Sequence, residues 1–367
     1  MRLLALSLLV ANLLPAQQRA AVDRLQQTAT AAREANRTEE AVDLYGRALK
    51  ANPAWTEGWW FLGTLDYESD QYIAARDAFR RLLSNEPKMA TGWSMLGLCE
   101  FETKQYDESL AHLTHAIELG LANHAELLSA SNYHRALLLT RNGEFEGAME
   151  LMAEVAARGQ DNPKTVEAMG IAALRKPVLP SELAPGEREL VMGVGRAMSD
   201  ASARRTADAA SEFDALIRQN LTIPQLHFLY GIVLLLNDPD KALVQLKQEL
   251  DITPRHPQAL FSIAEEYVKR SDFKAALPFA ESAAEANPHF FAAHSLLGRV
   301  LVEGQFDLPR GMQELELAEK MAPQNAQVRF ALAGAYAKVG RTNDAARERA
   351  EFMKLRKENA SAPAERP

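Results

Sequence analysis

A single cysteine, Cys99, occurs among the 367 residues, so no intrachain disulfide can hold the fold and stability has to come from packing. Strong positive charge is also missing, the formal net charge being -8. Phosphate backbones are gripped by concentrated Lys and Arg, which this chain does not offer, so nucleic acid is not expected as a partner. The one dense charge run, Arg341 to Lys357, alternates in sign and reads as a solvated end helix. No HExxH, CxxC or DxDxDG pattern is present, which removes the usual short signatures of zinc and calcium sites. No metal and no cofactor are expected.

Long apolar runs are equally scarce. The main one opens the chain, from Leu3 to Leu14, with Arg2 before it and the small Ala16 after it. That is the layout of a secretory signal peptide, and the run is shorter than the roughly 20 apolar residues that cross a bilayer. Residues 1–16 are therefore expected to be a signal peptide removed on export. The product is then periplasmic or secreted, with no stable membrane insertion; if the segment is instead a first helix, the protein is cytoplasmic.

What the chain has in quantity is a period. Trp59 and Trp93 stand 34 residues apart, as do Gly63 and Gly97, Ala41 and Ala75, and Pro53 and Pro87. Pro254, Pro288 and Pro323 continue at spacings of 34 and 35. Several residue types recurring together at one period mark a repeat architecture, in which each unit contacts only its neighbours. Small residues at Gly63, Gly97, Gly231 and Gly298 let two helices approach closely. The closing prolines end the second helix of each unit, since proline lacks the N–H and disfavours helix at the residue before it.

The order within a unit resembles the tetratricopeptide repeat, of the bacterial exported type. In the stretch Thr56 to Pro87, Trp59, Leu62 and Gly63 fill the first helix, Ala75 and Phe79 the second, and Pro87 closes the unit; Asp66 stands where the family prefers an aromatic. The frame gives units at 22–55, 56–89, 90–123, 129–162, 190–223, 224–256, 257–290, 291–325 and 326–359. The resemblance implies an all-α fold, a right-handed superhelical solenoid of antiparallel helix pairs, about nine repeats long. Residues 163–174 read as a first helix with no second helix after it, and Pro177, Pro180 and Pro185 then rule out a continuous helix. The expected organisation is a signal peptide at 1–16, a front array at 17–174, an irregular interruption at 175–189, a back array at 190–359 and a disordered tail at 360–367.

Catalytic chemistry finds little support. His112 and His115 share a helix face but two ligands do not make a tight metal site, so they read as surface histidines. Gly193 and Gly195 form a GxG inside a helix rather than after a strand, which is no phosphate cradle. Cys99 lacks a recognisable catalytic partner and reads as a small buried hydrophobe. The protein is not expected to be an enzyme.

In the resembled family the inner surface is lined by the first helix of each unit, at its second, fifth, ninth, twelfth and thirteenth positions. The fifth positions here include Trp60, Tyr133, Phe228, Phe261 and Phe330, and nearby inner positions add Tyr67 and Phe101. Such a stripe suits the apolar side chains of a bound protein or peptide. It equally suits rings that fill gaps between neighbouring first helices, and both readings stand at this point. Paired Lys and Asn that grip a C-terminal carboxylate in some family members are absent: the equivalent residues are Trp60 and Thr64, then Ser94 and Leu98. The expectation is a scaffold that binds a polypeptide along its inner face. The alternatives are an enzyme or enzyme accessory with a site at 175–189, or a structural spacer in an envelope complex.

Overall fold

The structure is a computed structural model and describes residues 16–361; residues 1–15 of the expected signal peptide and 362–367 of the expected tail lie outside it. The described residues fold into nineteen α-helices and one short 3-10 turn, with no strand among them. They form two compact units.

The first unit runs to Met152 and includes Pro177–Ser181. It holds α1 (Ala16–Glu34), α2 (Thr38–Ala51), α3 (Thr56–Glu68), α4 (Tyr72–Asn85), α5 (Ala90–Glu102), α6 (Tyr106–Leu119) and α7 (Ala125–Arg141). Helix α8 (Phe145–Ala157) spans the division. The second unit comprises Ala153–Lys176 and the residues from Glu182 onward. It holds α9 (Pro163–Ala173), α10 (Glu187–Ser202), α11 (Thr206–Gln219), α12 (Leu226–Leu234), α13 (Pro239–Ile252), α14 (Pro257–Lys269) and α15 (Phe273–Ala286). After these come α16 (Phe291–Glu303), α17 (Leu308–Met321), α18 (Ala326–Lys338) and α19 (Thr342–Ser361). Within each unit consecutive helices pair, and each pair packs on the next.

The hairpin that joins the two helices of a pair is built the same way in most pairs, the α12–α13 hairpin being an exception with no left-handed residue. Asn36, Asp70 and Lys104, spaced by 34 residues, take φ of 55°, 59° and 60°, and Ser271 and Gln305 repeat that spacing at 59° and 57°. This left-handed residue reverses the chain so that the next N–H reaches back five residues: Gln71 donates to the Asp66 carbonyl and Gln105 to the Glu100 carbonyl, both at 2.8 Å. Orphan carbonyls at the end of the first helix are thereby satisfied. The second helix stops for a different reason. Helices α2, α4, α13, α15 and α17 each end two residues before a proline, at Pro53, Pro87, Pro254, Pro288 and Pro323.

Four of these closing turns, those at Pro53, Pro87, Pro288 and Pro323, are tied to the helix after them by a side-chain donor. The Trp59 indole donates to the Pro53 carbonyl at 2.8 Å and the Trp93 indole to the Pro87 carbonyl at 2.9 Å. In the back of the chain the same place is held by His294 Nε2 on Pro288 at 3.2 Å, Arg329 Nε on Pro323 at 3.2 Å and His227 Nε2 on Leu221 at 3.3 Å. The signature tryptophan is thus one of three donors that do the same job.

The core follows the small residues. A Cβ on Gly63 would meet the Phe79 ring at 2.9 Å, and one on Gly97 would meet Leu113 at 2.7 Å. Helix α9, which lacks a second helix of its own, packs on α10. There a Cβ on Gly170 would lie 1.9 Å from the Val191 carbonyl oxygen and one on Gly195 would lie 2.0 Å from that of Val166. Backbone meets backbone at this crossing. The GxG glycine Gly195 is therefore a helix-crossing residue, and α10 serves both α9 and α11.

Candidate functional site

The seven rings of the expected stripe fall into two groups. Trp60, Tyr67, Phe101, Tyr133, Phe228 and Phe261 are half-buried, and each touches a neighbouring ring. Trp60 meets Phe79 edge-on at 5.8 Å, Tyr67 meets Tyr72 at 5.3 Å, and Phe101 meets Tyr106 and His134 at 5.7 and 4.6 Å. Tyr133 lies 5.1 Å from His134, Phe228 lies 4.6 Å from His256, and Phe261 lies 5.2 Å from Phe290. His256 and Phe290 stand immediately before α14 and α16, so those two rings are held by the entry to the next pair. Phe330 differs, since 59% of it is exposed.

Phe330 is also the ring that lines a cavity. An open cavity of about 630 Å³ lies along α16 and α18, a volume that holds several side chains of a ligand. Its wall from α16 includes Ser295, Arg299, Val302 and Glu303; its wall from α18 includes Gln327, Phe330, Gly334 and Lys338. In the repeat frame these are the second, fifth, ninth, twelfth and thirteenth positions of the first helices. Of the seven expected rings, Phe330 is the one in this lining, and the same frame names the other lining positions once residues other than aromatics are admitted. A Cβ on Gly334 would meet nothing within 4 Å, so the space beside Phe330 is open. Arg299 Nε stands 3.4 Å from Glu303, and Lys338 Nζ donates to the Val302 carbonyl at 3.4 Å. Arg349 adds a third cation to the lining. With one carboxylate against three cations, the groove favours an anionic group beside its apolar floor.

Elsewhere the titratable groups are engaged in holding the fold. His112 Nδ1 sits 2.6 Å from Glu100, which is wholly buried and also accepts from Arg80 at 3.0 Å. His112 and His115 both pack on the Trp93 ring, at 4.8 and 5.1 Å. No group of three or more His, Cys, Asp or Glu is placed to hold a metal among the described residues. Burial pushes the Cys99 thiol up to about 12, with the neighbouring Glu100 adding to the effect, which keeps it protonated and unreactive. Burial also raises the Asp66 carboxyl to about 6 and lowers the His256 imidazole to about 4, with Arg175 contributing.

The interruption contains a 3-10 turn at Pro180–Glu182. It is closed by Glu187, whose carboxylate accepts from Lys176 Nζ at 2.7 Å and from the Ala184 amide at 2.9 Å. The Lys176 hydrogen bond holds the Glu187 carboxyl below its ordinary range. Two of the charged residues available for chemistry there are thus spent on each other. No helix among the described residues is long and apolar enough to cross a membrane.

Residues 62–123 match the family model of the tetratricopeptide repeat. No curated protein matches the chain. Among solved structures, MamA from Desulfovibrio magneticus RS-1 shows 22% identity over 46% of this chain and 97% of its own, with a TM-score of 0.40. A MamA double mutant gives 20% identity over 46% and 96%, with a TM-score of 0.43. YrrB, described as a TPR protein with an unusual peptide-binding site, gives 16% identity over 45% and 84%, with a TM-score of 0.40. The matched segment runs from within α3 through α6, and helix pairs with the same left-handed turn recur on the same period elsewhere; residues 62–123 are a tetratricopeptide-repeat segment, and the other described helix pairs repeat its geometry.

Proposed function

We propose that this chain is a binding scaffold that holds a segment of another polypeptide in the groove between α16 and α18. The carrying observation is that one open cavity is lined by the inner first-helix positions of both helices, with vacant space over Gly334 beside an exposed Phe330. An apolar side chain of the ligand packs on Phe330, and a carboxylate next to it pairs with Lys338 or Arg299. Catalysis plays no part in this reading. Export remains part of it, on the strength of the run from Leu3 to Leu14; a mature N-terminus near Gln17, read by mass spectrometry, tests that part.

The groove is tested by Gly334→Leu, which fills the vacant space with no clash for its Cβ. Affinity capture from the native organism is run with wild type, with Gly334→Leu and with a triple alanine variant at Trp60, Tyr133 and Phe261. The expected result is one specific protein that Gly334→Leu loses at unchanged helicity. Equal capture by wild type and Gly334→Leu overturns the groove.

A further inference from the structure

Among the described residues, one face of the last helix pair is left uncovered. Leu246, Ala280 and Leu315 follow one another at spacings of 34 and 35, and all three are fully buried; the next step of 34 reaches Arg349, which is exposed. Ala283 and Ala318 are fully buried, while their successor Phe352 is only half-buried. Ala284 is 6% exposed, and its counterpart in the last helix, Met353, is 62% exposed. In α15 these positions are where the next first helix docks: Ala280, Ala283 and Ala284 share one core with Ala293, Leu296 and Leu297 of α16. In α19 the same face meets no further helix among the described residues.

What stands on that face is larger and more apolar than solubility asks for. Phe352 packs on Phe330 at 5.2 Å, and with Met353 the two rings make a patch where α15 carries only alanines. Arg349, Phe352, Met353 and Arg356 occur at i, i+3, i+4 and i+7, which puts them on one stripe of α19. The stripe has an apolar centre and a cation at each end. Arg356 lies over the Phe352 ring at 5.7 Å, and Arg349 makes no ion pair among the described residues.

A second copy related by a two-fold axis on this face would set arginine against arginine, at a cost. We infer that the end face of α18 and α19 docks an amphipathic helix of another protein, one whose apolar stripe is flanked by Asp or Glu. The position is that of a further first helix, and the arginines select its charge. The end face adjoins the groove and shares Phe330 and Arg349 with it, while Phe352, Met353 and Arg356 lie outside the groove lining.

The test uses the full chain and two labelled helical peptides of about 18 residues. Both carry the same leucine stripe, flanked by Glu in one and by Lys in the other. Fluorescence anisotropy is expected to show the Glu peptide binding about tenfold more tightly than the Lys peptide. A Met353→Glu, Arg356→Glu double variant is expected to lose that preference, and Gly334→Leu to retain it, which separates this face from the groove. Both substituted side chains are exposed, so thermal melts of the double variant are expected to match wild type. Equal affinity for the two peptides, no binding of either, or a preference that survives the double variant overturns the inference. So does a dimer in sedimentation that Met353→Glu dissociates, because the occupant is then a second copy.

Discussion

His294 Nε2 lies 3.2 Å from the carbonyl oxygen of Pro288, the place that the Trp93 indole takes against Pro87 at 2.9 Å. The carbonyl needs a donor because proline and its turn leave it outside any helix, and a polar group in such a place costs stability when unpaired. Trp93→Phe keeps most of the ring and removes only the N–H, so a loss of about 1 kcal/mol is expected. His294→Phe also strips Glu314 of its partner at 2.6 Å, so its loss is expected to be the larger, about 2 kcal/mol. Urea unfolding midpoints read both. An unshifted midpoint in each would show that the bond contributes nothing.

Asp66 occupies the place where the repeat family carries an aromatic ring. It is 7% exposed, and its carboxyl makes no hydrogen bond or ion pair among the described residues. Folding raises its pKa from 3.8 to about 6, so the folded state favours the protonated form. That contribution is complete below the unfolded value and is lost as pH rises through the folded one, amounting to about 3 kcal/mol near neutrality. Asp66→Asn removes the ionisation. Its expected advantage over wild type is close to nothing at about pH 4 and grows towards about 3 kcal/mol near pH 7. Denaturant curves across that range check it, and a difference independent of pH counts against the account.

His256 works with the opposite sign. Its Nδ1 accepts from the Ala259 amide at 3.1 Å, capping α14, and its Nε2 faces the side-chain Oε1 of Gln225 at 3.1 Å. This pairing requires the neutral ring. The folded pKa is lowered from 6.5 to about 4, so the stability it supports is complete above 6.5 and falls away as pH drops to 4, by about 3 kcal/mol. His256→Asn retains a capping oxygen and does not titrate. Hydrogen exchange at the Ala259 amide is expected to quicken between about pH 6 and 4 in wild type beyond the ordinary pH trend. The asparagine variant is expected to follow that trend alone.

Much of the fold was legible because the residue types do the structural work themselves. Pro53, Pro87 and Pro288 stop helices by chemistry, and Gly63 and Gly97 admit Phe79 and Leu113 by absence of a side chain. The left-handed turns were not legible. Gly143 and Gly340 announce positive φ, but Lys104 and Gln305 adopt it without any compositional sign, held by the bond that closes the helix. Nor was the groove. Most of the expected rings rest against neighbouring rings, whereas the proposed groove is lined by Gly334, which contributes empty space, and by Arg299 and Lys338, which look like any solvated charge. Phe228 shows the limit best: nothing in its own repeat reveals that His256, 28 residues later, lies against it.

The left-handed turns also give a test of how tightly the hairpins are over-determined. Lys104 at φ 60° and Gln305 at φ 57° hold a conformation that costs a side-chain-bearing residue about 1 kcal/mol relative to glycine. Glycine relieves that strain but makes the unfolded chain more flexible, which returns part of the gain. The net expected for Lys104→Gly and for Gln305→Gly is a stabilisation of about 0.5 kcal/mol each, and their double variant should add because the sites are far apart in sequence and share no partner. Alanine at the same positions keeps the strain and is expected to leave stability within about 0.5 kcal/mol of wild type. If glycine and alanine prove equal in thermal melts, the turn is strain-free, and the closing bonds from Gln105 to Glu100 and from Phe306 to Leu301 then carry the hairpin without opposing any backbone penalty.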